Sequence, residues 1–388
     1  MANSNLSNAK NAKNDEFYTQ YQDIEKEVNA YLEYNPDVFK NKTVLLPCDD
    51  PEWSNFTRYF AQNFERLELK KLISTSYAIE SKKFKTDWVP TLFETENPIY
   101  NVERSRVCGK IFILDHDTNA NGRIDIDDLQ WQYLEGDGDF RSAEVTALRN
   151  EADVIVTNPP FSLFREFLSW IVESEKLFLI IGNMNAITYK EVFPLIKGNR
   201  IWLGATGFVT DMVFGVPKGT VVKESDKAKA ERLGYVGDYT RLGNSCWFTN
   251  LEHGRRHRPL PLMSMDDNLK FSRHKDIRGK ESYDKYENYN AIEVPYTDAI
   301  PNDYDGVMGV PISFLDKYCP EQFEIVGMCE NEDLYGLKTK VYTTLECKEA
   351  YMQKFGKKGT YDLNASGVII CGGLKEKVYQ RILIKRKS

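Results

Sequence analysis

The tightest constraint in this chain is a strand that ends on two prolines. Asp153-Val-Ile-Val-Thr157 has the composition of a buried strand, and Asn158-Pro159-Pro160-Phe161 stops it. Proline lacks a backbone N–H and fixes φ, so neither a central strand nor a helix interior runs through consecutive prolines. The chain must leave the sheet here, in a turn that carries Asn158 and Phe161. Similar apolar runs occur at 43–47 (TVLLP), 69–74 (LKKLIS), 110–114 (KIFIL), 177–182 (LFLIIG) and 200–203. Between them lie helix-spaced segments. Ile24, Val28, Tyr31 and Leu32 recur at helical spacing within 15–34, and further helices are expected before Phe64, over 164–172 and over 189–196. This alternation predicts an α/β domain with a mostly parallel sheet. In such a sheet, ligand-binding loops gather beyond the carboxyl ends of the strands. The loops after Pro47, near Asp139 and after Thr157 would therefore share one edge.

With 388 residues the chain is long enough for two domains. Residues 1–14 (MANSNLSNAKNAKN) read as a flexible polar leader, without the apolar run of a secretion signal. Residues 15–215 form the predicted α/β domain. After Gly215 the composition changes. The stretch 218–237 is rich in Lys, Glu and Gly and reads as a linker or mobile loop. Then follow SCWFTNL at 245–251, a run of tyrosines (Tyr283, Tyr286, Tyr289, Tyr296, Tyr304) and the strand-like VYQRILIKRK at 378–387. Residues 216–388 are thus expected to form a smaller mixed α/β domain of short strands. No apolar stretch is long enough for a membrane span. The seven scattered cysteines have no Cys-x-x-Cys pair, which argues against a zinc site and for a reducing, cytoplasmic setting.

The Asn-Pro-Pro-Phe turn has a chemical reading. An exocyclic amine on an aromatic ring is a poor nucleophile, because its lone pair is delocalised into the ring. Two hydrogen-bond acceptors can draw it out of the ring plane. The Asn158 amide oxygen supplies one and the Pro159 carbonyl another, with no N–H on Pro159 or Pro160 to compete. Phe161 offers a flat face on which a base could stack.

On these residues the chain resembles adenine-N6 DNA methyltransferases, and three further stretches fit in the same order. Asp15-Glu-Phe-Tyr-Thr-Gln20 is similar to the aromatic cofactor-side motif that precedes the first strand. Cys48-Asp49-Asp50-Pro51, with Ser54-Asn55-Phe56, resembles the first cofactor loop of the EcoRI type in particular. Gly138-Asp139-Phe140 resembles the Asp-Phe motif that holds the cofactor's adenine. The resemblance implies a Rossmann-like S-adenosylmethionine-dependent methyltransferase fold followed by a C-terminal DNA-recognition domain. It implies a monomer that flips an adenine out of double-stranded DNA, in a restriction–modification, phage or orphan modification system. It implies Asn158, Pro159, Pro160 and Phe161 as catalytic residues. Phe17, Tyr18, Thr19, Cys48, Asp49, Asp50, Pro51, Asp139 and Phe140 would bind the cofactor. The first loop departs from most methyltransferases in having no glycine. Asp49 and Asp50 could balance the cofactor's positive charge or accept from its ribose; the alternative is that they cap the following helix. The same Asn-Pro-Pro turn serves RNA adenine, cytosine N4 or a protein glutamine as acceptor, and a binding protein on an inactive methyltransferase fold is a third reading.

Two more features bear on partners. Asp117, Asn119, Asn121, Arg123, Asp125 and Asp128 occupy ligand positions of a twelve-residue calcium loop, with Gly122 at the sharp turn and Ile124 after it; Asp replaces the usual Glu at the last position. A structural Ca2+ is one reading and an acidic turn the other. The net charge of −7 argues against nucleic acid, but 253–286 carries nine Lys/Arg against five Asp/Glu. Within it Arg255, Arg256 and Arg258 are the candidate phosphate contacts.

Overall fold

The structure, a computed structural model, describes residues 17–49, 54–78, 95, 98–208, 212–216 and 220–387. The polar leader, Asp15 and Glu16 of the aromatic motif, and Asp50 and Pro51 of the first loop lie outside the described residues. The chain divides into two compact units, Met1–Gly254 and Arg255–Ser388.

In the first unit the order is β1 (Tyr18–Thr19), α1 (Tyr21–Tyr34), β2 (Thr43–Leu46), α2 (Asn55–Gln62), β3 (Lys71–Ser76), α3 (Val102–Val107), β4 (Lys110–Leu114), β5 (Gln130–Tyr133), α4 (Ala143–Glu151), β6 (Val154–Thr157), α5 (Phe164–Val172), β7 (Leu177–Asn183), α6 (Phe193–Lys197), β8 (Trp202–Leu203), β9 (Val213–Gly215), α7 (Glu224–Arg232), β10 (Tyr239–Arg241) and β11 (Ser245–Thr249). The main sheet has the order β5-β4-β3-β2-β6-β7-β11-β8. Every residue of β2 and β6 is buried. That explains their unbroken apolar sequences, since central parallel strands are covered on both faces. On α1 the buried residues Ile24, Val28 and Tyr31 make one stripe facing this core.

Parallel pairing is confined to the four central strands, β3-β2-β6-β7. The flanks β4, β5, β11 and β8 are antiparallel to their neighbours, so the sheet is mixed rather than mostly parallel. An apolar run reveals a strand but carries no direction; the connections set that. The compact unit also runs past the change of composition at Gly215. Ser245–Thr249 is a fully buried interior strand between β7 and β8. The stretch expected as a linker contains α7, and β10 beyond it joins a three-stranded sheet, β1-β9-β10.

The second unit contains α8 (Met265–Phe271), β12 (Ala291–Glu293), β13 (Val307–Pro311), β14 (Phe323–Met328), α9 (Thr344–Phe355), β15 (Val368–Cys371), β16 (Leu374–Lys377) and β17 (Arg381–Arg386). Its sheet has the order β12-β13-β17-β14, and β15-β16 form a separate ribbon. Tyr283, Tyr286 and Tyr289 of the tyrosine run are buried. Tyr286 donates to Glu293, whose carboxylate also takes two N–H groups of the buried Arg381. Among the described residues no helix is long and apolar enough to cross a membrane.

Candidate functional site

The chain turns to opposite sides of β2 after leaving it, first to β3 and later to β6. Such a reversal places ligands beyond the carboxyl ends of the strands, here β2 and β6. Two loops meet there. The Thr157 hydroxyl, at the end of β6, lies 2.8 Å from the Pro47 carbonyl and 2.5 Å from Asp49 Oδ2. Asp49 is buried, and its Oδ1 accepts from the Ser54 hydroxyl at 2.7 Å. Ser54 in turn caps α2 by accepting from the Phe56 amide. Asp49 thus welds the first loop to β6 and braces the helix cap. Cys48 beside it holds a left-handed backbone, with φ of 69°.

Asn158 follows directly. Its Nδ2 donates to the Phe17 carbonyl at 2.7 Å. That bond fixes the orientation of the amide, and its Oδ1 is left buried with no hydrogen-bond partner. Leaving a buried acceptor unmade costs about 1–3 kcal/mol, so an orphan of this kind in a folded core calls for a ligand. Phe161 stands beside it in a cluster of three rings, 5.6 Å from Phe17 and 6.5 Å from Phe214. Phe17 and Phe214 are themselves 6.0 Å apart, edge to face. The cluster is assembled by β1 and β9, which pair Thr19 with Phe214.

Two more buried oxygens near these loops lack partners, the hydroxyls of Thr19 and Tyr77. The Thr19 carbonyl is held by Asn55 Nδ2 at 2.8 Å, so strand β1 is fastened to α2. Burial, and then the neighbouring Cys48, push the Tyr77 phenol above its ordinary pKa. The Gly138-Asp139-Phe140 loop lies against the end of β3. Ala78 donates to the Asp137 carbonyl at 2.8 Å. Gly138 has φ of 85°, and a β-carbon there would fall 2.4 Å from the Ser76 carbonyl oxygen, so only glycine fits. Asp139 pairs with Arg141 through both oxygens, at 2.9 and 2.6 Å, and Arg141 reaches on to Glu166 at 2.9 Å. The Arg141 hydrogen bonds hold the Asp139 carboxyl below its ordinary range. Phe140 is wholly buried against Phe167 and Trp170, at 5.0 and 5.5 Å.

Sequence reasoning named Asn158, Phe161, Phe17, Thr19, Cys48, Asp49 and Asp139, and missed Tyr77, Phe214 and Glu27. Glu27 is a buried carboxylate on α1. It accepts from the amides of Ala205 and Thr206 at 2.6 and 2.9 Å, from the Thr206 hydroxyl at 2.6 Å and from the Tyr31 hydroxyl at 2.9 Å. Burial raises its pKa, and the hydrogen bonds oppose that rise. A β-carbon on Gly204 would lie 2.3 Å from Glu27 Oε1. The helix following β1 is thereby locked to the loop that precedes β9, the strand that carries Phe214; Phe17 stands just before β1. A Glu at one helical position among Ile24, Val28 and Tyr31 was the available signal.

The acidic loop turns its oxygens inward. Asp128 accepts from the Thr118, Asn119 and Asp125 amides and the Thr118 hydroxyl, at 2.8–3.2 Å. Burial would raise its pKa, but these bonds pull it below the ordinary value. Asp117 Oδ2 accepts from the Gly122 amide, Asn119 from the Asn121 amide, Asn121 from the Arg123 amide and Asp125 from the Asp127 amide. Asp117 Oδ1 alone is buried without a partner, and calcium needs six to eight oxygens. Among the described residues no three acidic, His or Cys side chains cluster as a metal site would require. The calcium expectation is not supported. The loop matches the ligand spacing because it uses the same side chains to cap its own turns.

Of the three arginines, Arg255 pairs with Asp316 at 2.5 Å and Arg256 is buried. Arg258 is exposed.

Residues 5–387 match the family described as adenine-specific methyltransferase EcoRI. The chain is 42% identical to the Type II methyltransferase M.EcoRI of Escherichia coli, over 84% of its own length and 90% of the relative's. It is 32% identical to the Type II methyltransferase M.MpnI of Mycoplasma pneumoniae, over 86% and 89%. It is also 32% identical to M.MgeORF184P of Mycoplasma genitalium, over 87% and 90%. No solved structure matches the chain. The chain belongs to the EcoRI family of adenine-specific methyltransferases and is a site-specific DNA adenine methyltransferase.

Proposed function

We propose that this enzyme takes its methyl group from S-adenosylmethionine and places it on the N6 amine of an adenine rotated out of duplex DNA. The observation that carries the reading is the buried, unpartnered Asn158 Oδ1. It is an acceptor held in place by its own amide's bond to Phe17, with no donor in the protein. The adenine amine would supply that donor, and the Pro159 carbonyl would take its second hydrogen. Held so, the nitrogen lone pair turns out of the ring and toward the cofactor. Phe161 stacks on the flipped base, with Phe17 and Phe214 behind it. Pro160 shapes the turn by accepting from the Leu163 amide.

When bound, the cofactor supplies a methyl group activated by a positively charged sulfur. The carboxyl edge of the sheet suits such a ligand, because the orphan hydroxyls of Thr19 and Tyr77 can answer its polar atoms. Phe17, Tyr18, Thr19, Cys48 and Asp49 would contact it from one side and Asp139 and Phe140 from the other, and Asp50 and Pro51 are further contacts proposed from the sequence alone. Asp49 acts mainly by holding Thr157 and Ser54, since both its oxygens are engaged. No base is needed before attack; the amine becomes acidic once methylated, and water takes the proton. The second unit would read the target sequence, with Arg258 on a phosphate, and the chain would work as a monomer in a restriction–modification system.

Incubating the protein with plasmid and cofactor, then digesting the DNA to nucleosides, tests the reading. N6-methyladenine is the expected product. N4-methylcytosine, or no modified base, would refute it.

A further inference from the structure

Residues 338–377 hold eight lysines, four carboxylates and no arginine. Spread over forty positions they make no basic run, and only the fold gathers them. Tyr342, Cys347, Ala350, Leu363 and Val368 form a small buried core, with Tyr361 packed on it, beneath α9 and the β15–β16 ribbon. Lysines lie over its aromatic rings. Lys354 and Lys377 sit 5.7 and 5.6 Å from the centre of Tyr361, and Lys340 and Lys375 sit 4.9 and 5.1 Å from that of Tyr342. Past the end of α9, Gly356 takes a left-handed conformation, and Lys357 and Lys358 stand exposed before Gly359.

The carboxylates cancel only part of this charge. Lys340 pairs with Glu287, and Lys375 lies 3.9 Å from Glu346. Glu346 caps α9, accepting from the Thr343 amide and hydroxyl, and Glu376 pairs with Lys354 at 3.1 Å. Lys348, Lys357, Lys358 and Lys377 have no ion pair among the described residues. A merely solvated lysine face would have freely rotating stems. Here rings and carboxylates together fix Lys340, Lys354 and Lys375, and a ring fixes the unpaired Lys377, so less order remains to be imposed when a partner binds. The composition also limits the partner. Lysine is a point charge suited to phosphate, whereas arginine's fork is the usual device for reading a guanine edge.

We propose that the lysine–aromatic face of α9 and the β15–β16 ribbon is a contact surface for the phosphate backbone of duplex DNA. It positions the second unit on DNA without reading sequence. The proposal rests on the DNA methyltransferase reading above.

The test uses the full chain with a labelled duplex and measures affinity by fluorescence anisotropy over a range of salt. K357E/K358E changes two exposed loop residues with no packing role. It should weaken binding at least tenfold near 0.1 M salt. The slope of log K against log salt should fall by about 0.9 for each lost phosphate contact. Cofactor affinity by calorimetry, and the methylation rate at saturating DNA, should stay at wild-type values. K26E/K70E, in the first unit, controls for net charge and should leave affinity within about twofold. Wild-type affinity and salt slope in K357E/K358E, or an equal loss in the control, overturns this surface while leaving the enzyme's function standing. A wild-type chain that neither binds nor methylates duplex DNA overturns both.

Discussion

The turn after β6 and the acidic loop between β4 and β5 are both rich in side-chain oxygens, and the fold uses those oxygens in opposite ways. In the acidic loop, Asp128 alone satisfies three backbone amides, and Asp117, Asn119, Asn121 and Asp125 each take another. In the turn, Asn158 spends its donor on Phe17 and keeps its buried acceptor open. The first arrangement lowers the energy of the empty protein. The second raises it, and the cost is recovered only when a donor arrives. A motif names residue types; whether their lone pairs are available is decided by what the backbone places around them.

The sharpest way to break this contrast is Asn158→Ala. If the open acceptor organises the reacting amine, its loss should lower the methylation rate on the order of 10²–10³-fold or more, the range for removing one preorganised polar group. Cofactor affinity should change little, because on this reading Asn158 would meet the amine and not the cofactor. Single-turnover methylation and calorimetry on the same preparation decide it. A wild-type rate would end the assignment.

Glu27→Ala tests whether the three-ring cluster depends on its remote anchor. The substitution leaves the Ala205 and Thr206 amides buried without an acceptor, at about 1–3 kcal/mol each. Urea unfolding should report that loss. Methylation should suffer as well, because α1 follows Phe17 and β1, and the 204–207 loop precedes β9, which carries Phe214. A stable variant with full activity would show that the cluster assembles without Glu27.

Much of this was legible in the sequence, for identifiable reasons. The central strands were readable because burial on both faces forces an apolar run, as in Val154–Thr157. Asn158 and Phe161 were readable because the prolines fix the turn locally. Glu27 and Tyr77 were not, since the groups around them come from far along the chain: Ala205 and Thr206 for one, Cys48 and Phe140 for the other. Strand direction was invisible at β4 and β11 for the same reason. Arg255 and Arg256 looked like phosphate contacts because the sequence does not show Asp316 or the interior waiting for them.

A milder effect is expected at Asp128. Replacing it with Ala removes the acceptor for three amides and the Thr118 hydroxyl, so the melting temperature should fall. Calcium should shift the melting temperature of neither the wild type nor the variant. A calcium-dependent rise that Asp128→Ala abolishes would reinstate the loop as a metal site.

The smallest effect concerns a carboxylate that has neither fate. Asp23, in the first turn of α1, sits where a helix N-terminus favours negative charge. Burial outweighs this and the nearby Lys26, and its pKa rises from 3.8 to about 6. The sign is opposite to that of Asp128, whose amides pull its pKa down. A carboxyl group titrating higher in the folded chain than in the unfolded one binds protons preferentially when folded. Its stabilising contribution is therefore complete below pH 3.8 and lost as pH rises through about 6. Asp23→Asn removes this titration. The variant should gain stability relative to wild type as pH rises from about 4 to 6, and the gain should level off above that. Urea unfolding at a series of pH values measures the difference directly. A difference that is flat with pH, or that grows toward acid, would mean that Asp23 has found a partner and belongs with Asp128.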